Sequence, residues 1–292
     1  MSTTRAIKQE SKLTDYKMLV KARLTSMVVF SAGIGYVLGA GYNFSWVGLA
    51  VLCLGGFLIT GASNALNQVL EKDYDSIMKR TANRPLATGR MSVSEAVMAA
   101  GFMSLIGITL LALFNPLTAL IGTVSMIIYA FIYTPVKRVS PIAVLIGAIP
   151  GALPPMIGWV AATGNLGIEA LALFGIQFLW QFPHFWAIAW VGNEDYTKAG
   201  YKLLPSKGGK DKQTALQCLI YTLFMLPMGV SLFWLGVTGW ISAVIVTGAG
   251  LMFTYYAWKL YKECTDKAAL HLMFSSFVYL PVTLIALMMD LM

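Results

Sequence analysis

Charge is what this chain of 292 residues has least of. Asp, Glu, Lys and Arg together make up 12% of it, about half their share in an ordinary soluble domain. With 58% hydrophobic residues and a mean hydropathy of +0.70, a soluble fold has no means of hiding its apolar surface. Cysteine is scarce as well. Cys53, Cys218 and Cys264 have no metal-type spacing and no plausible extracellular partner, so a disulfide framework and a thiolate metal site are both excluded. The sequence also lacks any stretch between its apolar runs long enough to fold alone, which argues for one membrane domain. It lacks a cleavable leader: charged residues run to Arg23 with no short apolar core and small-residue cleavage site after them.

What is present is apolar length. Nine runs, at 24–41, 46–70, 94–114, 117–134, 141–161, 166–191, 214–235, 239–258 and 269–289, are each of the order of the ~20 residues that cross a bilayer as a helix. A lipid-facing segment must satisfy its backbone internally. The expected fold is therefore all-α, a polytopic membrane protein with nine transmembrane helices in one bundle.

The basic residues report orientation. All 21 lie before the first run or after the second, fourth, sixth and eighth, and the alternate loops carry none. The positive-inside rule then makes residues 1–23 a cytoplasmic N-terminal segment and 24–292 the membrane domain, with the C-terminus outside. The expected location is the cell (inner) membrane. The net charge of +8 is this topology signal plus attraction to anionic lipid; no basic domain is free to bind nucleic acid.

Polar residues inside a bundle are costly and mark function by default. They collect at two places on the basic side. At the end of the second run Asn64, Asn67, Glu71 and Asp75 recur at spacings of 3, 4 and 4. At about 100° per residue they fall within roughly an 80° arc of one helix face, with Asp73 pointing elsewhere. Oxygen donors in such a stripe suit a hard cation held between carboxylates and phosphate, and the following Lys79, Arg80 and Arg84 suit the phosphate itself. A solvated helix end with ordinary charge pairs would read the same way.

The second place is the end of the sixth run. His184 lies in the apolar sequence, and Glu194, Asp195, Lys198 and Lys202 lie at its mouth. A lone histidine in a helix is as readily a packing residue as a ligand. Pro183 can kink that helix and free a carbonyl. The two acidic ends, about 120 residues apart, suggest a weak internal duplication. Between them the turn Tyr133-Thr-Pro-Val-Lys137-Arg138 adds a phenol and two cations. The glycines and prolines of 146–159 argue for close helix contact and a broken helix, and in membranes such features often line a cavity.

On these residues the chain resembles the protoheme IX farnesyltransferase (heme O synthase) branch of the UbiA-type intramembrane prenyltransferases. Asn67-x3-Glu71-x3-Asp75 with Arg80 and Arg84, and Tyr133-x3-Lys137, carry the superfamily. The heme branch rests on 149–159, on Trp180-Gln-Phe-Pro-His-Phe185, and on Asp195-Tyr196 and Leu204-Pro205. The resemblance covers nearly the whole chain. It implies farnesyl diphosphate as donor, heme B as acceptor, Mg2+ as cofactor, and a cytoplasmic-side active cavity. Product consumers, a heme A synthase or a terminal oxidase assembly, are implied partners.

The resemblance also implies the roles. Asn67, Glu71 and Asp75 hold the metal, aided by Asp195 and Glu194. Arg80, Arg84, Lys137, Lys198 and Lys202 contact diphosphate, Tyr133 shields the allylic cation, and His184 orients or ligates heme. The chain departs from the pattern at Glu71, where aspartate is usual, at Gly192 and Tyr196, where aspartates are usual, and at Ala22, where proline is common. Two other functions remain open on the residues alone: a sister prenyltransferase acting on a quinone precursor or aromatic acid, and a secondary transporter. The transporter should place polar groups at the midplane, whereas charge here keeps to one face.

Overall fold

In the computed structural model, which describes residues 10–292, a short surface helix α1 (Lys12–Leu19) leads into α2 (Ala22–Ala40), α3 (Trp46–Ile77), α4 (Val93–Ala112) and α5 (Pro116–Val136). Then come α6 (Ala143–Thr163), α7 (Ile168–Val191), the short α8 (Asn193–Lys198), α9 (Lys212–Trp234), α10 (Trp240–Glu263) and α11 (Asp266–Met289). Eight helices among the described residues are long and apolar enough to cross a membrane. The remaining long one, α7, has 24 residues but carries Glu169, Gln177, Gln181 and His184 together with three tryptophans, which lowers its hydropathy. It packs between α6, α9 and α11, so the expected bundle of nine long helices stands with one of them unusually polar.

Two helices set the interior. α2 and α6 touch through small residues: a Cβ on Gly158 would lie 1.9 Å from the Ala32 carbonyl oxygen, and one on Gly35 would lie 2.0 Å from that of Pro155. Without a hydrophobic force between helices in lipid, such backbone contact is what holds them.

The expected break in 146–159 does not occur, since α6 is continuous with Pro150, Pro154 and Pro155 inside it. A proline leaves the carbonyl four residues earlier without its donor. Neighbouring side chains supply replacements: Gln177 Nε2 donates to the Gly151 carbonyl at 2.7 Å, and the Ser125 hydroxyl donates to that of Pro150 at 3.4 Å. Repair by adjacent helices is how membrane helices keep internal prolines. α7 likewise runs on through Pro183.

α3 continues to Ile77, several residues past its apolar run, and this extension carries the polar stripe. α1 lies against it. Gln68 Nε2 donates to the carbonyls of Met18 and Leu19 at 2.9 and 2.8 Å, and Asn64 Nδ2 to that of Val20 at 3.3 Å. A buried Arg90–Asp15 pair at 2.9 Å fixes α1 to the loop after α3.

Candidate functional site

The stripe at the end of α3 faces inward. Asn64, Asn67, Glu71 and Asp75 are each at most 3% exposed, whereas Asp73 is exposed. The helical period of α3 thus turns the first four toward the interior and Asp73 away from it. Burying carboxylates requires partners, and each has one. Lys137 Nζ sits 2.5 Å from Glu71 Oε1, and the Tyr201 hydroxyl donates to the same oxygen at 3.0 Å. Arg84 Nη1 donates to both oxygens of Asp75, at 2.8 and 2.7 Å. Asn67 Nδ2 donates to Glu71 Oε2 at 2.9 Å and to Thr134 Oγ1 at 3.0 Å.

A third cation completes the group. Lys21 Nζ donates to Asn67 Oδ1 at 2.9 Å. Lys21 occupies the turn between α1 and α2 in the left-handed region, φ 47° and ψ 55°, a conformation that costs a non-glycine residue of order 1–3 kcal/mol and tends to occur at functional sites. Burial, together with Arg84 and Lys137 nearby, pushes its ammonium well below the usual lysine range, against the pull of Glu71 and Asp75. With all three protonated, Lys21, Arg84 and Lys137 exceed Glu71 and Asp75 by one positive charge, and a bound anion would return to Lys21 the proton that burial disfavours. An anion is the ligand that this imbalance favours.

Tyr133 is delivered by a π-helical turn, Ile128–Tyr133, at the end of α5. Such turns insert an extra residue and are frequent at functional sites. The ring lies where only a glycine can face it, 2.6 Å from a Cβ built on Gly147. Lys137 Nζ stands 4.7 Å from the Tyr133 centroid and 5.4 Å from that of Tyr201, both within cation–π range. Burial and the Glu71 carboxylate raise the Tyr201 phenol pKa, so it remains a hydrogen-bond donor.

The second acidic end is built differently. α7 stops at Val191, and Glu194 and Asp195 sit on the short α8, Glu194 exposed and Asp195 half-buried. Neither carboxylate has a hydrogen bond or ion pair among the described residues. Asp195 lines a cleft of about 210 Å³ with Arg80, Tyr196, Ile188 and Met273. Arg80 belongs to this cleft: its Nη2 donates to the Tyr196 hydroxyl at 3.3 Å, and it has no carboxylate partner among the described residues. The side chains of Lys198 and Lys202 are exposed, although the Lys202 amide donates to the Lys137 carbonyl at 3.0 Å and so ties its loop to the site. His184 is buried in the seam between α7 and α11.

The structure thus brings together Asn67, Glu71, Asp75, Arg84, Lys137 and Tyr133, and leaves Glu194, Asp195, Arg80, Lys198, Lys202 and His184 outside that cluster. Among the described residues no three His, Cys, Asp or Glu side chains converge. The stripe's donors are all oxygens, and two are carboxylates already engaged by cations. Such a set fits a metal that takes one or two carboxylates and completes its shell with water and substrate phosphate, as Mg2+ does. Lys21 and Tyr201 were missing from the sequence-derived cluster. Lys21 was legible only as one of the N-terminal basic residues, and nothing marks Tyr201 as the partner of a glutamate 130 positions away.

The geometry has counterparts. The model of the UbiA prenyltransferase family matches residues 28–279. A protoheme IX farnesyltransferase from Cytophaga hutchinsonii is 50% identical over 96% of this chain and 98% of its own length. One from Flavobacterium johnsoniae is 46% identical over 96% and 95%. Among solved structures, a digeranylgeranylglyceryl phosphate synthase superposes with a TM-score of 0.80 at 17% identity, covering 96% of this chain and 98% of that one. A UbiA homolog from Archaeoglobus fulgidus bound to GPP and Mg2+ does so with 0.70 at 16% identity, covering 94% and 99%. A helical bundle with a buried, net-cationic acid–amide stripe at one mouth, matched along its length by that family, makes this chain a member of the UbiA prenyltransferase family.

Proposed function

We propose that the chain transfers the farnesyl group of farnesyl diphosphate to a vinyl group of heme B, giving heme O. One observation carries the reading: Lys21, Arg84 and Lys137 surround Asn67, Glu71 and Asp75 at the mouth of an apolar bundle, in a chain half identical to a protoheme IX farnesyltransferase. The diphosphate binds among the cations and the prenyl tail runs between helices toward lipid. Asn67, Glu71 and Asp75 would hold the metal, which would leave Arg84 and Lys137, now paired with those carboxylates, to phosphate oxygens. Mg2+, when bound there, neutralises charge on the leaving diphosphate.

The chain's own groups do the rest. Preorganised cations stabilise the charge that develops as the allylic C–O bond breaks and its electron pair leaves with diphosphate. The Tyr133 face, held against Gly147, borders the cationic carbon and keeps water from it. The vinyl π pair then forms the new C–C bond. Water adds to the resulting acceptor cation and releases a proton, so a hydroxyethylfarnesyl substituent results. The heme O formed would be handed to a terminal oxidase or to a heme A synthase.

The active face is cytoplasmic and the C-terminus lies outside, in the inner membrane, because the 21 basic residues keep to one set of loops. A cysteine at Asn165 should react with an impermeant thiol reagent added outside and one at Gly208 should not; the reverse pattern inverts the protein. For the reaction, purified protein with heme B, farnesyl diphosphate and Mg2+ should yield a heme heavier by one farnesyl and one hydroxyl group. Unmodified heme alongside a prenylated quinone precursor or aromatic acid would overturn the assignment.

A further inference from the structure

Asn64 belongs to the stripe by its period but not by its contacts. Its Nδ2 donates to the Val20 carbonyl at 3.3 Å and to Thr25 Oγ1 at 3.2 Å, and its Oδ1 accepts from the Tyr129 hydroxyl at 3.4 Å. A carbonyl can only accept, so the amide nitrogen must face Val20 and the oxygen the π-helical turn. No hydrogen bond joins Asn64 to Asn67, Glu71 or Asp75 among the described residues. Gln68 follows one turn later, about 40° further round α3, and is fully buried. Its Nε2 donates to the Met18 and Leu19 carbonyls, while its Oε1 is buried without a hydrogen bond among the described residues. The side chain is therefore placed for its donors, since an unpaired buried acceptor is the cost of keeping them there.

Met18 and Leu19 are the last two residues of α1 and Val20 is its cap. A helix leaves its final carbonyls without intrahelical donors, and a glycine in the left-handed region commonly closes such an end. Here the left-handed residue is Lys21, and two amides of α3 supply the donors. The Thr25 hydroxyl adds a third bond, to the Val20 carbonyl at 2.6 Å. Three successive carbonyls are thus fixed to neighbouring helices, and the next residue is the one whose ammonium reaches Asn67 Oδ1. The body of α1 is pinned separately by Arg90 on Asp15. A turn that only joined two helices would be better served by glycine at position 21.

We propose that Asn64 and Gln68 are positioning residues, which cap α1 so that Lys21 is delivered to the diphosphate, and that Asn64 has no place in the metal shell. This rests on the buried cluster binding a prenyl diphosphate. The test uses the full-length protein in detergent and two readouts: farnesyl diphosphate affinity, and acylation of the Lys21 amine by acetic anhydride, followed by peptide mass analysis. The second readout needs no substrate. Gln68→Glu and Asn64→Asp keep the shape and set acceptors against carbonyls. Each should weaken farnesyl diphosphate binding about tenfold and raise Lys21 acylation severalfold, with the Mg2+ requirement at saturating diphosphate unchanged. Gln68→Met, which removes the donors without repulsion and so guards against a folding defect, should show the same changes at smaller size. In a Lys21→Met background, Gln68→Glu should weaken binding by no more than about twofold further, because the two substitutions remove one interaction. Aspartate is at least as good a ligand for Mg2+ as asparagine. Unchanged diphosphate affinity with a lowered Mg2+ requirement in Asn64→Asp would therefore overturn the positioning role and place Asn64 on the metal. Unchanged acylation and affinity in both Gln68 variants, or a full tenfold loss on top of Lys21→Met, overturns it too. A wild type that binds no farnesyl diphosphate, in which Lys21 acylation still responds to Gln68, would overturn the proposed substrate and the purpose given to Lys21 while the capping of its turn stands.

Discussion

The two acidic helix ends look alike as sequence and differ as structure. α3 and α7 both run through an apolar stretch into acids followed by bases, on the same side of the bundle. At the end of α3 the acids are buried and each is held by a cation brought from a distance: Lys137 from the turn after α5, Arg84 from the loop after α3, with Lys21 on Asn67 from the turn before α2. At the end of α7 the helix breaks at Gly192, and the Glu194 and Asp195 carboxylates stay on a six-residue helix without partners among the described residues. Charge at a helix end becomes a site only when other elements close over it. A preorganised field is worth more in a dry cavity than at a wet rim, so the first end should dominate the chemistry.

The widest separation between the two ends should come from isosteric neutralisation. Glu71→Gln or Asp75→Asn removes a metal-facing charge from the buried cluster and should lower prenyl transfer by about 10²-fold or more at saturating Mg2+, several kcal/mol of transition-state stabilisation. Asp195→Asn should cost about tenfold or less in the same assay. Equal losses at both ends would mean that α8 closes over the site during turnover and that the contrast drawn here belongs to the resting protein. Because Asp75→Asn leaves Arg84 without its partner, thermal melting in detergent should accompany the rates.

Next in size is Lys21. Its Nζ has an amide, not a carboxylate, for a partner, so its charge is left for an incoming diphosphate to stabilise. Lys21→Met keeps the length and removes the charge. A charge-assisted hydrogen bond is worth about 1.5–3 kcal/mol, so farnesyl diphosphate affinity should fall by roughly 10- to 100-fold, with heme affinity unchanged. Tyr201→Phe should do less. It removes one hydrogen bond to Glu71 and keeps the ring beneath Lys137, so about a threefold to tenfold change in the apparent Mg2+ requirement is expected. An unaltered Mg2+ titration would show that Tyr201 only fills space.

The contrast also explains what could be read in advance. The helical bundle, the basic face and the inward stripe were legible because each follows from a local period or a local charge count. Asn64, Asn67, Glu71 and Asp75 share a face whatever the rest of the chain does. What was not legible depended on pairing across the bundle. Lys21 reaches Asn67 only because α1 folds back at a left-handed residue, and Tyr201 reaches Glu71 only because its loop is pinned to Lys137. The continuity of α6 was hidden for the same reason: Gln177 and Ser125, on other helices, repair the carbonyls that its prolines release. Arg80 was grouped with Arg84 by proximity in sequence, and the loop between them sends the two guanidiniums to different places.

The smallest expected effect tests the geometry most sharply, because it compares two aspartates on one helix. Asp73 and Asp75 are two residues apart, which at about 100° per residue turns their side chains some 200° from each other. Asp75 is 1% exposed and held by Arg84; Asp73 is exposed, and only its backbone carbonyl accepts, from the Ser76 hydroxyl at 2.6 Å. An exposed carboxylate interacts with the cluster through water and counter-ions, and beyond a Debye length of about 8 Å little of its field remains at physiological salt. Asp73→Asn should therefore change the rate less than twofold and melting by no more than the small shift typical of surface substitutions. Raising the salt should erase what difference there is, while leaving the Asp75→Asn defect in place. If Asp73→Asn proved as damaging as Asp75→Asn, the stripe would have been assigned to the wrong face of α3, and the division between a closed first mouth and an open second one would go with it.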